Sequence, residues 1–370
     1  MNPILQKLLA ATGLTRRGDL VAATEAIQRT LAEATVSAPP GQFGAEAPTS
    51  KAPEDNVLDG LVREIDVIPV EPPPVAERPR TGDFGESTFT AAAGTRRFKL
   101  FEPAGFEGRS LPLLVMLHGC TQDPDDFAAG TRMNVLAQEQ GFFVLYPAQA
   151  PRSNAHKCWN WFLAADQRRG QGEPALLAGM TRHVMATQPI DADRVWVAGL
   201  SAGGAMAAIL AREYSDLFAA AGVHSGLAPG AAHDVVSAFA AMKSGSRPPP
   251  AAAQDAGAPL IVFHGDADGT VNAQNGNLLI DAWLGAASAE ARRETIPAGV
   301  AGRSFTRTVY APAGAGGPSR AEHWVVHGAG HAWAGGDPAG SFTDRAGPDA
   351  SREMLRFFAE HPRRPAAAAA

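Results

Sequence analysis

The sequence predicts an α/β fold in three layers, with a mainly parallel central sheet covered by helices on both faces. Short, continuously apolar runs recur after about residue 95, stretches of helical spacing lie between several of them, and Gly199-Leu200-Ser201-Ala202-Gly203 joins one such run directly to one such stretch. A parallel strand buried on both faces reads as an unbroken apolar run, and consecutive parallel strands need a helical crossover between them.

The expected strands fall at 97–101, 113–117, 142–146, 195–198, 260–263 and 324–326, and the expected helices at 126–140, 175–187 and 202–214. Ahead of them, residues 1–34 carry apolar positions at helical spacing, with Ile4, Leu5, Leu8 and Leu9 in one piece and Leu20, Val21, Ile27 and Leu31 in the next. This predicts a helical hairpin that must dock on the main domain or on a second copy of the chain, because one hairpin cannot bury its own apolar face. Residues 35–80, with Pro39-Pro40 and Pro72-Pro73-Pro74, lack periodicity and predict a largely disordered linker. The main domain is expected over 81–362 and a disordered tail over 363–370. An Ala- and Pro-rich insertion at about 228–259 shows no strand pattern; it reads equally as part of a cap or as a plain surface excursion.

With 370 residues, 45% of them hydrophobic, the chain can bury a large core. A formal charge of -6 without any basic stripe argues against a nucleic-acid partner, and no apolar run approaches membrane-spanning length. Met1 to Ala10 has no basic start followed by an uninterrupted apolar stretch, so a cytoplasmic location is expected, with export by an atypical route as the alternative. Two cysteines, Cys120 and Cys158, are too few for a disulfide framework; they read either as one bridge or as two buried thiols.

A serine between two glycines, between a strand and a helix, has the spacing of a nucleophile on a tight turn. Such a serine needs a base, an acid that orients the base, and donors for an oxyanion. The base expected is His331, in a glycine-rich loop after the last apolar run, with His327 as its rival closer to the strand. The acid expected is Asp268, in the turn after the preceding run, with Asp266 beside it. Asp266-x-Asp268-Gly269 looks like part of a calcium loop, but the third oxygen ligand and the closing glutamate are missing. The oxyanion donors expected are the backbone amides of Ala202, next to the serine, and of Cys120, after the tight turn at Gly119. Trp159, Trp161 and Trp333 cluster in the same loops and are expected to line an apolar acyl slot. No metal or organic cofactor is expected.

Six ordered motifs resemble those of the polyhydroxybutyrate depolymerase family of serine esterases, which has feruloyl- and acetylxylan-esterase-like members. They are His118-Gly-Cys-Thr-Gln122, Cys158-Trp-Asn-Trp-Phe162, Gly172-Glu-Pro174, Gly199-Leu-Ser-Ala-Gly-Gly204, His264-Gly-Asp-Ala-Asp268 and His331-Ala-Trp333, spanning about residues 95–360. The resemblance implies an α/β-hydrolase with Ser201, Asp268 and His331 as triad, acting on short-chain hydroxyalkanoate or other small carboxylic esters, including polyesters. A feruloyl- or acetylxylan-type esterase is the alternative, and a non-catalytic protein using the N-terminal hairpin as its interaction surface is a third reading. Because the base must be neutral, and an ordinary histidine titrates near pH 6.5, activity is expected to fall on acidification.

Overall fold

A computed structural model of the chain describes residues 81–248, 257–285, 289–297, 302–312 and 318–363. The hairpin expected over 1–34, the linker over 35–80 and the tail beyond 363 lie outside the described residues. The strands are β1 (Asp83–Ala91), β2 (Gly94–Glu102), β3 (Leu111–Leu117), β4 (Phe143–Pro147), β5 (Ile190–Leu200), β6 (Ala220–His224), β7 (Leu260–Gly265), β8 (Ala289–Ile296), β9 (Phe305–Pro312) and β10 (Ala321–Val326). A short parallel pair follows, β11 (Trp333–Ala334) and β12 (Thr343–Asp344). The helices are α1 (Pro124–Thr131), α2 (Met133–Gln140), α3 (Gly172–Thr187), α4 (Ala202–Glu213), α5 (Val235–Ser244), α6 (Gln274–Leu284) and α7 (Ala350–Glu360).

The ten-stranded sheet runs β1-β2-β4-β3-β5-β6-β7-β10-β9-β8. Its six central strands, β4 to β10 in that order, are parallel, and an antiparallel pair closes each edge. Alternate residues of the central strands serve opposite faces. In β3, Leu113, Val115 and Leu117 join one core with α3, α4 and α6, while Leu114 and Met116 join another with α1, α2 and α7. Full burial on both sides explains why these strands carry no polar alternation. The fold is that of an α/β-hydrolase.

The structure adds β1, β8, β9, β11, β12, α5, α6 and α7 to the expected elements, and it departs from them at two further points. The helix expected over 126–140 is two helices, because Arg132 adopts the left-handed conformation at φ 55° between them. The Gly130 carbonyl accepts the Asp337 amide at 2.8 Å, which ties this break to the loop carrying β12. The central strand β6, Ala-Ala-Gly-Val-His, was absent from the expected set; small residues of low strand propensity become a strand there because β5 and β7 supply partners on both sides.

Candidate active site

The turn at Ser201 is built by steric necessity. A Cβ on Gly203 would collide with the Leu117 carbonyl oxygen, and one on Gly199 with the Gly203 carbonyl, so α4 can approach β3 and β5 this closely only with glycine at both positions. Ser201 itself sits at φ 58°, ψ -120°, a left-handed backbone unusual for a residue with a side chain. Its amide donates to the His224 carbonyl at 2.9 Å, which continues the β5–β6 ladder through the strained residue. The turn leaves Ser201 on the wall of a cavity of about 260 Å³ beyond the carboxyl ends of the parallel strands.

His331 lines the same cavity. Its Nδ1 donates to Asp268 Oδ2 at 2.7 Å, which leaves Nε2 as the acceptor. Asp268 is 8% exposed, and its second oxygen accepts the Thr270 and Val271 amides at 2.9 and 2.8 Å. Burial pushes its carboxyl up, but hydrogen bonds from His331 and Val271 and the His331 charge outweigh burial and hold it below the usual range. Asp268 therefore stays ionised. Among the described residues the Ser201 hydroxyl makes no hydrogen bond, so the serine and the imidazole share the cavity without being joined. In unliganded sites such bonds are often long and tighten only around substrate.

The rival pair is separate. His327 Nδ1 meets Asp266 Oδ2 at 2.8 Å, and His327 Nε2 meets Thr306 Oγ1 at 2.9 Å, in a partly exposed cluster outside the cavity.

Cys120 and Ala202 flank Ser201, and neither amide has a hydrogen-bond acceptor among the described residues. The Gly119 amide donates to Gln122 Oε1 at 2.9 Å, and a Cβ on Gly119 would lie 3.6 Å from the Ser201 Cβ. The Cys120 segment thus runs directly past the serine. Cys120 and Cys158 form a disulfide, which ties this segment to the loop bearing Trp159 and Trp161. That loop is also held from beneath: buried Glu173 accepts the Asn160 amide at 2.7 Å and the Asn160 side chain at 3.1 Å. Burial, with help from the nearby Asp166 charge, pushes the Glu173 carboxyl up to about 7.

Of the three tryptophans expected at the acyl slot, Trp161 lines the cavity and the other two do not. Trp159 is fully buried, its indole donating to the His118 carbonyl at 3.1 Å. Trp333 is buried between the His224 and Phe127 rings, its indole donating to Ser351 Oγ at 3.0 Å. Each found an internal acceptor, which lets a whole indole leave solvent. The wall instead includes one face of α5, Val235, Ala238, Phe239 and Met242, together with Phe162 and Phe342. The 228–259 insertion therefore contributes to the cavity rim. Its i, i+3, i+4, i+7 spacing was the available signal for those residues.

A family model described as "Esterase PHB depolymerase" matches residues 96–295. The chain belongs to this family. Its esterase-family relatives include poly(3-hydroxyalkanoate) depolymerase C of Paucimonas lemoignei, 34% identical over 206 residues, 53% of this chain and 49% of that protein. Feruloyl esterase B of Neurospora crassa is 34% identical over 117 residues, 31% of this chain and 39% of that protein. The match with this family thus spans half or less of those relatives' length. Among solved structures, an acetyl xylan esterase from Aspergillus awamori has a TM-score of 0.57 at 19% identity, over 75% of this chain and 99% of that one, and shares the fold. No described helix is long and apolar enough to cross a membrane.

Proposed function

We propose that the protein hydrolyses carboxylic esters through an acyl-enzyme on Ser201, with short-chain hydroxyalkanoate esters, as oligomer or polymer, as the substrate class. The observation that carries this reading is the buried Asp268–His331 pair facing one apolar cavity with Ser201. Ser201 Oγ attacks the carbonyl carbon as His331 Nε2 takes its proton, and the Cys120 and Ala202 amides receive the developing oxyanion. The leaving alcohol takes the proton back from His331. Water, activated by the same imidazole, then releases the acid and restores the serine.

Support for the substrate class comes from the apolar wall and from relatives named as depolymerases. The aromatic side chains Trp161, Phe162, Phe239 and Phe342 favour a second reading, an aryl-acyl esterase of the kind that relatives named feruloyl esterase B represent. Hydroxybutyrate oligomers against methyl ferulate separates the two: the higher kcat/KM identifies the acyl group. Ser201→Ala is expected to lower turnover of p-nitrophenyl butyrate by about 10⁴-fold or more with the fold intact; unchanged turnover removes Ser201 from the mechanism.

The Cys120–Cys158 bridge supports residence in an oxidising compartment rather than the cytoplasm, since cytosolic thiols are kept reduced. Protein recovered from its native source with both thiols free to alkylation would overturn that placement.

A further inference from the structure

His224, at the end of β6, is used by neither the triad nor the cavity, yet both halves of the site hang on it. Its carbonyl oxygen accepts the Ser201 amide at 2.9 Å, the bond that holds the strained turn against the sheet. On its side chain, Nε2 accepts the Ala334 amide at 3.0 Å. Ala334 belongs to β11, three residues after His331, so one residue grips the backbone of the serine and of the loop that carries the imidazole.

The ring can serve only in one state. Because Nε2 accepts from a backbone N–H, the ring proton sits on Nδ1, facing Ser225 Oγ at 3.2 Å. The side chain is 1% exposed and stacked between Phe263 and Trp333, at centroid separations of 5.8 and 5.3 Å. Burial, then the neighbouring His264 and His331, push its pKa down to about 3, which favours the neutral ring that the Ala334 bond requires. On the other side of His331, the loop is pinned separately, by the Ala267 amide on the Ala329 carbonyl at 3.0 Å. The Trp333 amide donates to the Phe342 carbonyl at 2.7 Å, which leaves His224, among the described residues, as the hydrogen-bonded link from β11 to the serine turn.

We propose that His224 is a positioning residue that sets the register between Ser201 and His331 by holding the Ala334 amide. The inference rests on the ester-hydrolase reading above. The site lacks a hydrogen bond between serine and imidazole, so their separation is set by backbone placement, and His224 is the side chain through which the two backbones communicate. A displacement of about 1 Å in such a pair can cost about 10²-fold in rate.

The test compares His224→Phe, His224→Gln and His224→Asn with the wild-type protein on p-nitrophenyl butyrate, with melting temperature recorded for each. Phenylalanine keeps the stack on Phe263 and Trp333 but offers no acceptor. Glutamine places an amide oxygen near where Nε2 lies, and asparagine places one near Nδ1. The expected result is a kcat for His224→Phe about 10- to 100-fold below wild type, at a KM within about twofold, with His224→Gln recovering most of the rate and His224→Asn little. Should the phenylalanine variant not fold, the Gln-over-Asn order at equal melting temperature carries the test. A wild-type kcat in His224→Phe, a loss expressed in KM, or equal rates for Gln and Asn overturns the inference while leaving an inactive Ser201→Ala, and the hydrolase reading, in place. Full activity in Ser201→Ala would remove that reading and this inference together.

Discussion

Three residues lining the cavity sit on left-handed backbone, Thr121 at φ 68°, Ser201 at φ 58° and Phe342 at φ 52°. Such conformations persist only where the surroundings over-determine them. For Phe342 these are the Trp333 amide on its carbonyl at 2.7 Å, and at the preceding Ser341 the Gln122 side chain on the carbonyl at 3.2 Å and the Asp126 carboxylate on the amide at 2.8 Å. The clamp holds an aromatic ring, 44% exposed, edge-on to His331 at a centroid distance of 6.3 Å. On the proposed esterase reading, a ring kept half in solvent against a backbone penalty is a substrate contact. Phe342→Gly and Phe342→Ala should both raise KM about threefold or more for p-nitrophenyl esters, since both lose the ring. The glycine variant should be the more stable of the two by about 1 kcal/mol, as only alanine keeps the strain. Urea midpoints and steady-state kinetics on the pair check this, and an unchanged KM in both would place the ring outside substrate contact.

At the scale of elements, the proposed reading makes α5 the helix that sets what the cavity accepts. Asp234 caps it, its carboxylate taking the Ser237 amide at 2.7 Å while Ser237 Oγ takes the Asp234 amide at 3.0 Å. The helix then turns Val235, Ala238, Phe239 and Met242 to one side, where they line the same cavity as the serine. Ala238 is the small member of this face. Ala238→Phe should therefore preserve hydrolysis of p-nitrophenyl acetate and cut that of p-nitrophenyl octanoate by roughly 10-fold or more, the rate a pocket clash of about 1–3 kcal/mol yields. A chain-length series of esters measures it; a parallel drop at every length would place the acyl chain elsewhere. Sequence patterning held this helix as a run of helix formers with apolar spacing. It could not say that the face lines the Ser201 cavity, because that depends on how a segment between β6 and β7 folds back over the sheet.

Across the described molecule, four buried histidines are held toward the neutral form. Burial lowers His118 to about 4, His224 to about 3 and His323 to about 4, and lowers His264 as well. A histidine whose folded pKa is depressed leaves the unfolded chain binding the extra proton, so its contribution is present above about pH 6.5 and is lost as pH falls toward the folded value. Glu173, raised to about 7, works in the opposite sense over 4.5 to 7 and offsets one proton. The depressed histidines thus favour proton uptake on unfolding as the pH falls below about 6.5, against the opposite pull of Glu173. Urea midpoints measured from pH 7 to pH 4.5 should fall along this limb. A flat profile would mean that these rings are solvated or charged in the folded protein.

Much of the site was written in the order of residues. Strand ends in a parallel sheet converge on one edge whatever lies between them, so a serine turn, an aspartate turn and a histidine loop following successive apolar runs had to be neighbours. Local chemistry also separated glycine-bounded Ser201 from other serines. What the sequence could not decide was which ring of several goes where. Trp159 shares a loop with Trp161 and Trp333 follows the His331 loop, yet only an acceptor elsewhere in the fold, the His118 carbonyl for one and Ser351 for the other, drew them into the core. Likewise local sequence favoured Asp268 and His331 over Asp266 and His327, but that the two aspartates each pair with a different histidine, one pair at the cavity and one outside it, emerges only in the fold. Periodicity and punctuation are properties of a segment, whereas a hydrogen-bond partner more than a hundred residues away, such as His224 for Ala334, exists only once the chain has closed on itself.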